Sequence, residues 1–193
     1  MFAKCVKSFL FVLLSLASFG ALAHVGHGDA PGLAAGFLHP LTGADHLMAM
    51  LAVGIWSAMT TRRVWVAPIS FASLLLVGAL LGLAGLHFPV VEPMIAASLL
   101  VLGLLLASQA RLPLMAGAAL TGAFALFHGA AHGAELGSAS PLAAIIGMVL
   151  GTALIHVAGL LLGRLLLARH VLWARLAGGC ITIFGAGLLT GVL

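Results

Sequence analysis

Six long apolar segments, separated by short connections, take up most of the 193-residue chain. A helix needs about 20 residues to cross the hydrocarbon core of a bilayer, and each segment is near or above that length. Only 6% of the residues are charged, against about a quarter in soluble domains. The sequence therefore predicts an all-α integral membrane protein with a bundle of six transmembrane helices. The predicted spans one to six are 33–58, 64–86, 93–108, 112–134, 141–167 and 172–193.

The first 23 residues have the features of a cleavable signal peptide. A basic start, MFAKCVK, precedes an apolar run that is short for a membrane span, and Ala21–Ala23 supply small residues for cleavage. An uncleaved first helix is the alternative. Cleavage after Ala23 would leave one mature domain, residues 24–193, that contains all six predicted spans.

The arginines alternate between the connections. The second and fourth connections contain no Lys or Arg, whereas the first, third and fifth do. Cytoplasmic loops carry the excess of Lys and Arg, so the odd connections are predicted to be cytoplasmic. Both mature termini would then face the periplasm of a bacterial inner membrane. The residues concerned are Arg62, Arg63, Arg111, Arg164, Arg169 and Arg175.

Composition excludes several classes of function. The net charge of +4 reflects only four acidic residues, and no basic patch exists to neutralise the phosphates of a nucleic acid. Cys5 and Cys180 are too few for a disulfide framework. The mature chain has no lysine and therefore no phosphate-binding P-loop. Histidines are abundant instead, with nine in the chain.

The first predicted span carries ionisable residues at an energetic cost. Asp45 and His46 lie near its middle, where an aspartate costs roughly 2.5–3.5 kcal/mol and marks a functional site by default. His39 would lie about 10.5 Å away along an unbroken helix, too far to share one ion. Either Pro40 and Gly43 distort the helix, or His39 forms a separate station. A purely structural pairing of Asp45 with a histidine is the alternative.

The fourth predicted span ends in a second polar motif, FHGAAHGAE. His128, His132 and Glu135 fall within about 60° of arc on a helix. Two imidazoles and a carboxylate on one stripe suit a divalent transition metal. The alternative interpretation is a polar helix end at the membrane interface. We expect spans one and four to pack face to face, with a side chain from each on the same ion.

These two motifs resemble those of the HupE/UreJ family of nickel permeases. The second matches at Phe127, His128, Gly129, Ala131, His132, Gly133 and Glu135. The first matches at His39, Pro40, Gly43, Asp45, His46, Met50, Val53, Gly54 and Trp56. The resemblance covers essentially the whole chain. It implies inward transport of nickel, sometimes cobalt, in the service of hydrogenase or urease, and it implies that the histidines and carboxylates of both motifs matter.

Other histidines are weaker candidates. His24, His27 and Asp29 at the mature terminus could gather metal or form a solvated linker. His156 within span five is expected to be satisfied by a neighbouring helix, with a ligand role as the alternative. Loop roles are expected for His87, Glu92 and His170, and packing roles for Met48 and Met50.

The sequence thus predicts a permease that transports Ni²⁺ or Co²⁺ through the bilayer, with no prosthetic group. One rival interpretation is an intramembrane zinc hydrolase that uses the same ligands, although neither an HExxH nor a G-x-S-x-G motif is present. A haem-binding bundle with two axial histidines is the other rival, and it leaves Asp45 and Glu135 unexplained.

Overall fold

The computed structural model describes residues 32–135 and 140–193, without the side chains of residue 135 and of residues 167–169. The predicted signal peptide, His24, His27 and Asp29 lie outside the described residues. Within them the chain forms seven α-helices: α1 Gly32–Thr42, α2 Ala44–Thr60, α3 Val66–Leu83, α4 Val91–Ser108, α5 Leu114–Glu135, α6 Pro141–Arg169 and α7 Val171–Thr190. The predicted all-helical architecture is confirmed.

Five of these helices, α3 to α7, are long and apolar enough to cross a membrane. They lie on predicted spans two to six. The outer face of α6 shows why such a chain needs lipid, because large apolar side chains are exposed along it at roughly four-residue intervals. These are Leu142, Ile146, Leu150, Leu154, Leu161 and Leu165.

Predicted span one is divided at Gly43 into α1, of 11 residues, and α2, of 17 residues. Pro40 lies near the end of α1 and lacks the N–H that would continue the helical ladder. Gly43 is extended, at φ −86° and ψ 116°, and its carbonyl oxygen accepts the first hydrogen bond of α2 from Leu47. The distortion considered from the sequence is therefore a full break in the helix.

The helices associate in close pairs through glycines. Gly78 and Gly133 bring α3 and α5 together so tightly that a Cβ on either would overlap backbone atoms of the other helix. Gly103 and Gly178 do the same for α4 and α7, and a similar contact joins α6 to α1 and α2. Small residues are the usual means of close helix packing in membranes. Span one thus pairs with span five, span two with span four, and span three with span six. The same pairs result when spans one to three are exchanged, in order, with spans four to six, which is the pattern of an inverted repeat.

The break in span one shortens its path across the bundle. Gly147 of α6 packs against the backbone of Leu33, and Gly163 packs against that of Ile55. Sixteen residues separate the two glycines on the unbroken helix α6, whereas 22 separate Leu33 from Ile55. At 1.5 Å per residue, the difference corresponds to about 9 Å of axial length. This shortening is what brings His39 towards His46.

The arginine-bearing connections share one end of the bundle. The indole Nε1 of Trp56, near the end of α2, donates a 2.8 Å hydrogen bond to the carbonyl oxygen of Ala110, beside Arg111. Gly163, beside Arg164, packs against Ala58, close to Arg62. The histidines and Asp45 of the two sequence motifs lie towards the opposite end.

Candidate metal-transport site

Side chains of both motifs meet inside the bundle in a group that we call the histidine cluster: His39, Asp45, His46, His128 and His132. The ring centroid of His46 lies 4.7 Å from that of His128 and 4.2 Å from that of His132. His46, His128 and His132 are all buried. The side chains of predicted spans one and four therefore meet as expected. The expectation that the two helices pack face to face is wrong, because α5 packs on α3 and α1–α2 packs on α6.

Asp45 orients His46. Its Oδ1 accepts the backbone N–H of His46 at 2.8 Å and the ring Nδ1–H at 2.9 Å. A carboxylate oxygen can only accept, so Nδ1 carries a proton, and in the neutral imidazole Nε2 carries a lone pair. Carboxylates commonly hold metal-binding histidines in this way. The pair also lies within one helix, so it cannot serve to tie two helices together.

The first turn of α2 makes the carboxylate of Asp45 less costly than it would be at the middle of an unbroken helix. Asp45 is the second residue of α2, where unpaired backbone N–H groups and the positive end of the helix dipole favour a negative charge. The break at Gly43 thus supplies a place for an acidic side chain inside the bundle.

Ser98 holds His128. The Ser98 hydroxyl donates to the carbonyl oxygen of Ile95 at 2.6 Å, so at 2.9 Å it accepts from His128 Nε2–H. His128 Nδ1 then carries a lone pair, and it is buried without a hydrogen-bond partner. Sequence reasoning missed Ser98. An isolated serine in the apolar middle of α4 was the only available signal, and such residues are common in membrane helices.

His39 belongs to the histidine cluster and does not form a separate station. Its Nε2 lies 2.7 Å from Nδ1 of His132, and the two rings meet edge to face with centroids 4.4 Å apart. The position that an unbroken helix would give His39 is therefore wrong, because the break at Gly43 brings the residue back towards α5.

The buried nitrogens of the cluster are not arranged around a single point. Among the described side chains, no three His, Cys, Asp or Glu residues are placed so that they could hold one metal ion as they stand. Nε2 of His46, Nδ1 of His128 and Nε2 of His132 are nevertheless buried without hydrogen bonds. Such atoms are rare in folded proteins and call for an explanation. The side chain of Glu135 lies outside the described residues.

A recess of about 200 Å³ opens beside Asp45. Asp45 is half-buried, and the exposed Glu92 at the start of α4 lines the same recess together with Leu188 and Leu189 of α7. Glu92 was expected to have only a loop role, and its position beside Asp45 was missed. Its distance in sequence from both motifs left no signal for this juxtaposition.

The remaining candidates fall into two groups. His87 and His170 are exposed, as expected of loop residues, and Met50 is fully buried in the core. His156 is buried and packs against Phe71, with ring centroids 5.1 Å apart. Neither ring nitrogen of His156 has a hydrogen-bond partner in the described part of the chain. The expectation that a neighbouring helix satisfies His156 is therefore wrong.

Comparison with known proteins agrees with the motifs. The family model described as HupE / UreJ protein matches residues 12–188. The chain belongs to the HupE/UreJ family. It is also 40% identical over 175 residues to Protein HupE of Rhizobium leguminosarum bv. viciae, a match that covers 89% of this chain and 91% of that protein. No solved structure matches.

Membership of the HupE/UreJ family settles the broad class of the protein. The family consists of multi-pass membrane transporters, not enzymes, and it is associated with nickel uptake for hydrogenase or urease. Both rival interpretations, the intramembrane zinc hydrolase and the haem-binding bundle, are therefore set aside.

Proposed function

We propose that this protein is a permease that carries a divalent transition metal ion, nickel or alternatively cobalt, into the cytoplasm through the histidine cluster. The observation that carries the proposal is the burial of histidines from the broken helix α1–α2 and from α5 against one another, with ring nitrogens that lack hydrogen bonds. Ionisable residues are retained inside membrane proteins chiefly on substrate and ion pathways.

The donor chemistry favours a borderline cation. Imidazole nitrogens suit nickel, copper, iron and zinc, whereas Mg²⁺ and Ca²⁺ prefer carboxylate and carbonyl oxygens, and Cu(I) prefers sulfur. His46 Nε2 and His128 Nδ1 both carry lone pairs in the hydrogen-bond network described above. In this proposal the carboxylate of Asp45 orients His46, and its negative charge offsets the positive charge of the cation.

The resting arrangement must change when an ion binds. The His39–His132 hydrogen bond is the contact that most directly occupies potential donor atoms. A hydrogen bond of this kind is worth about 0.5–1.5 kcal/mol net, so a cation can displace it at small cost. A site assembled only when the ion arrives suits transport, because an ion that binds too tightly does not leave.

The recess beside Asp45 is the proposed entrance. Asp45 and Glu92 line it, and two carboxylates would concentrate a dication at its mouth. The unpaired nitrogens of His46, His128 and His132 are buried and do not line the recess. His24, His27 and Asp29 in the mature terminus would gather metal outside, and Glu135 would add a carboxylate beside His132.

We place the entrance on the periplasmic side of a bacterial inner membrane. The arginine-bearing connections would then be cytoplasmic. Helices α1 and α2 together would form span one, in addition to the five spans α3 to α7, and both mature termini would be periplasmic after signal cleavage. A dication gains about 4.6 kcal/mol when it enters a cell with an interior of −100 mV, from about 2.3 kcal/mol per charge. The membrane potential alone can therefore drive uptake.

Uptake of radioactive nickel tests this function. Bacterial cells that lack their own nickel transporters should accumulate the label when they produce the protein, and excess unlabelled Co²⁺ should compete more strongly than Mg²⁺ or Ca²⁺. Collapse of the membrane potential with an ionophore should abolish accumulation. Cells that contain abundant protein in the membrane, yet take up no more label than cells without it, would refute the proposal.

A further inference from the structure

His156 is the most unusual buried side chain outside the histidine cluster. It lies midway along α6, is only 2% exposed, and neither ring nitrogen has a hydrogen-bond partner among the described residues. Thr152 precedes it by one turn on the same face of α6, is fully buried, and its hydroxyl is also unpartnered. Two adjacent polar groups thus share one face of α6 with nothing in the described bundle to satisfy them.

Burial of an unpaired polar group opposes folding, and an apolar side chain of similar size would make the bundle more stable. The buried hydroxyls of Ser98 and Thr121 are satisfied within their own helices, as when Thr121 donates to the carbonyl oxygen of Gly117 at 2.9 Å. The side chains of Thr152 and His156 lack such partners. A ligand that is absent while the site rests would explain why both residues are polar.

Phe71 of α3 contacts both this pair and the histidine cluster. Its ring centroid lies 5.6 Å from that of His128 and 5.1 Å from that of His156. The ring therefore lies against His128 of the cluster and against His156, and it is itself fully buried. A rotation of this one side chain would change the contacts of both His128 and His156.

We propose that His156 and Thr152 form an inner binding station for the transported divalent metal ion, with the ring of Phe71 in contact with both this station and the histidine cluster. This inference rests on the proposed transport function. The imidazole would supply a nitrogen donor and the hydroxyl an oxygen donor, with water in the remaining positions. Two modest sites in series let an ion advance without being trapped.

The inner station lies on the way to the arginine-bearing end. Gly54 of α2 packs against the carbonyl oxygen of His156, and Ser57, one turn further along α2, is fully buried with an unpartnered hydroxyl. The unpaired buried side-chain atoms of the described residues thus belong to the histidine cluster, to the inner station or to Ser57.

Substitution His156→Leu separates a ligand role from a packing role. If His156 binds the ion, this variant should lower radioactive nickel uptake at least about tenfold, the smaller end of what loss of an outer-shell partner costs a metal site. At the same time its melting temperature in detergent should equal or exceed that of the unaltered protein, because an unpaired buried group has been removed. Normal uptake by His156→Leu would overturn the proposal.

Two further variants complete the uptake experiment. Met148→Leu, buried on the same helix, should leave uptake unchanged and serves as the packing control. Thr152→Val keeps the shape and removes the hydroxyl, and it should lower uptake several-fold. Unchanged uptake by Thr152→Val would remove Thr152 from the station.

A direct binding readout avoids dependence on transport. In purified His156→Cys protein, added Co²⁺ should produce a near-ultraviolet thiolate-to-cobalt absorption band that the unaltered protein, with its half-buried Cys180, does not show. Absence of this band would overturn the inner station. If the band forms but the unaltered protein takes up no nickel in cells, the transport function is contradicted and the inner site stands. If the unaltered protein takes up nickel but the band does not form, the inner site is contradicted and the transport function stands.

Discussion

Asp45 Oδ1 accepts two hydrogen bonds from His46, one from the backbone N–H at 2.8 Å and one from ring Nδ1–H at 2.9 Å. The contact fixes both the rotamer and the tautomer of a buried imidazole. It also couples a negative charge to the nitrogen at the far side of the ring, which makes that nitrogen a better donor to a cation. In the proposed site, Asp45 would therefore control metal binding without being a ligand itself.

Substitution Asp45→Asn tests that coupling. The amide oxygen can still accept from His46, so the fold should be retained, but the negative charge is lost. We expect nickel uptake at limiting metal to fall about 10- to 100-fold, the range found when a carboxylate behind a metal-binding histidine is removed. The amount of protein in the membrane, measured by immunoblot, should not change. Uptake by Asp45→Asn equal to that of the unaltered protein would show that the charge is irrelevant.

Substitution His132→Ala should nearly abolish uptake, because it removes a buried nitrogen that lacks a hydrogen bond and also the partner of His39. His170→Ala is the matched control, since His170 is exposed at the junction of α6 and α7, and it should change uptake by less than about twofold. Radioactive nickel uptake under the same conditions measures both variants. Equal loss in the two would show that the defect is not specific to the histidine cluster.

The sequence predicted the helical class, the family and the association of the two motifs, for identifiable reasons. Long apolar segments leave a membrane helix as the only conformation that satisfies the backbone. His128 and His132 are four residues apart, so their common face follows from helix geometry alone. Span one was harder, because Pro40 and Gly43 allowed either a distorted helix or a separate station for His39, and only the three-dimensional path decided between them.

Gly43 is required by space and not by its backbone angles, which any residue can adopt. A Cβ at this position would lie 3.0 Å from Asp45 Oδ1 and 3.2 Å from His46 Nδ1. Gly43→Ala should therefore disturb this pair and lower nickel uptake several-fold, with little change in melting temperature. Gly179→Ala is the control, because nothing lies within 4 Å of the added carbon. A Gly43→Ala protein with full uptake would contradict this account of the break.

Close packing at Gly78 gives a prediction about stability. A Cβ there would overlap the backbone carbonyl of Leu126 on α5, so Gly78→Ala should force α3 and α5 apart and cost about 1–3 kcal/mol. Gly179→Ala in α7 should instead be neutral or slightly stabilising, because alanine is the better helix former by about 1 kcal/mol. Melting temperatures in detergent compare the two. Equal values would indicate that the α3–α5 contact is looser than described.

Ser98, Glu92 and the position of His156 could not be predicted, because each depends on which helices become neighbours. Ser98 lies 30 residues from its partner His128, and Glu92 lines a recess with Asp45, on a different helix. Without a known order of packing, a polar residue in one apolar helix cannot be assigned to a particular face of another. The glycine-mediated pairing of α1–α2 with α6, α3 with α5 and α4 with α7 supplies that order.

The orientation of the bundle gives the last prediction. The connections that carry Arg62, Arg63 and Arg111 share one end, and the recess beside Asp45 lies towards the other. If the arginines are cytoplasmic, alkaline phosphatase fused after Leu193 should be active in the periplasm, and a fusion after Arg63 should be inactive. A cytoplasm-active reporter at the same two positions should give the opposite pattern. Activity of the phosphatase at Arg63 and not at Leu193 would show that the carboxylate-lined recess faces the cytoplasm. The recess would then be an exit for metal instead of an entrance.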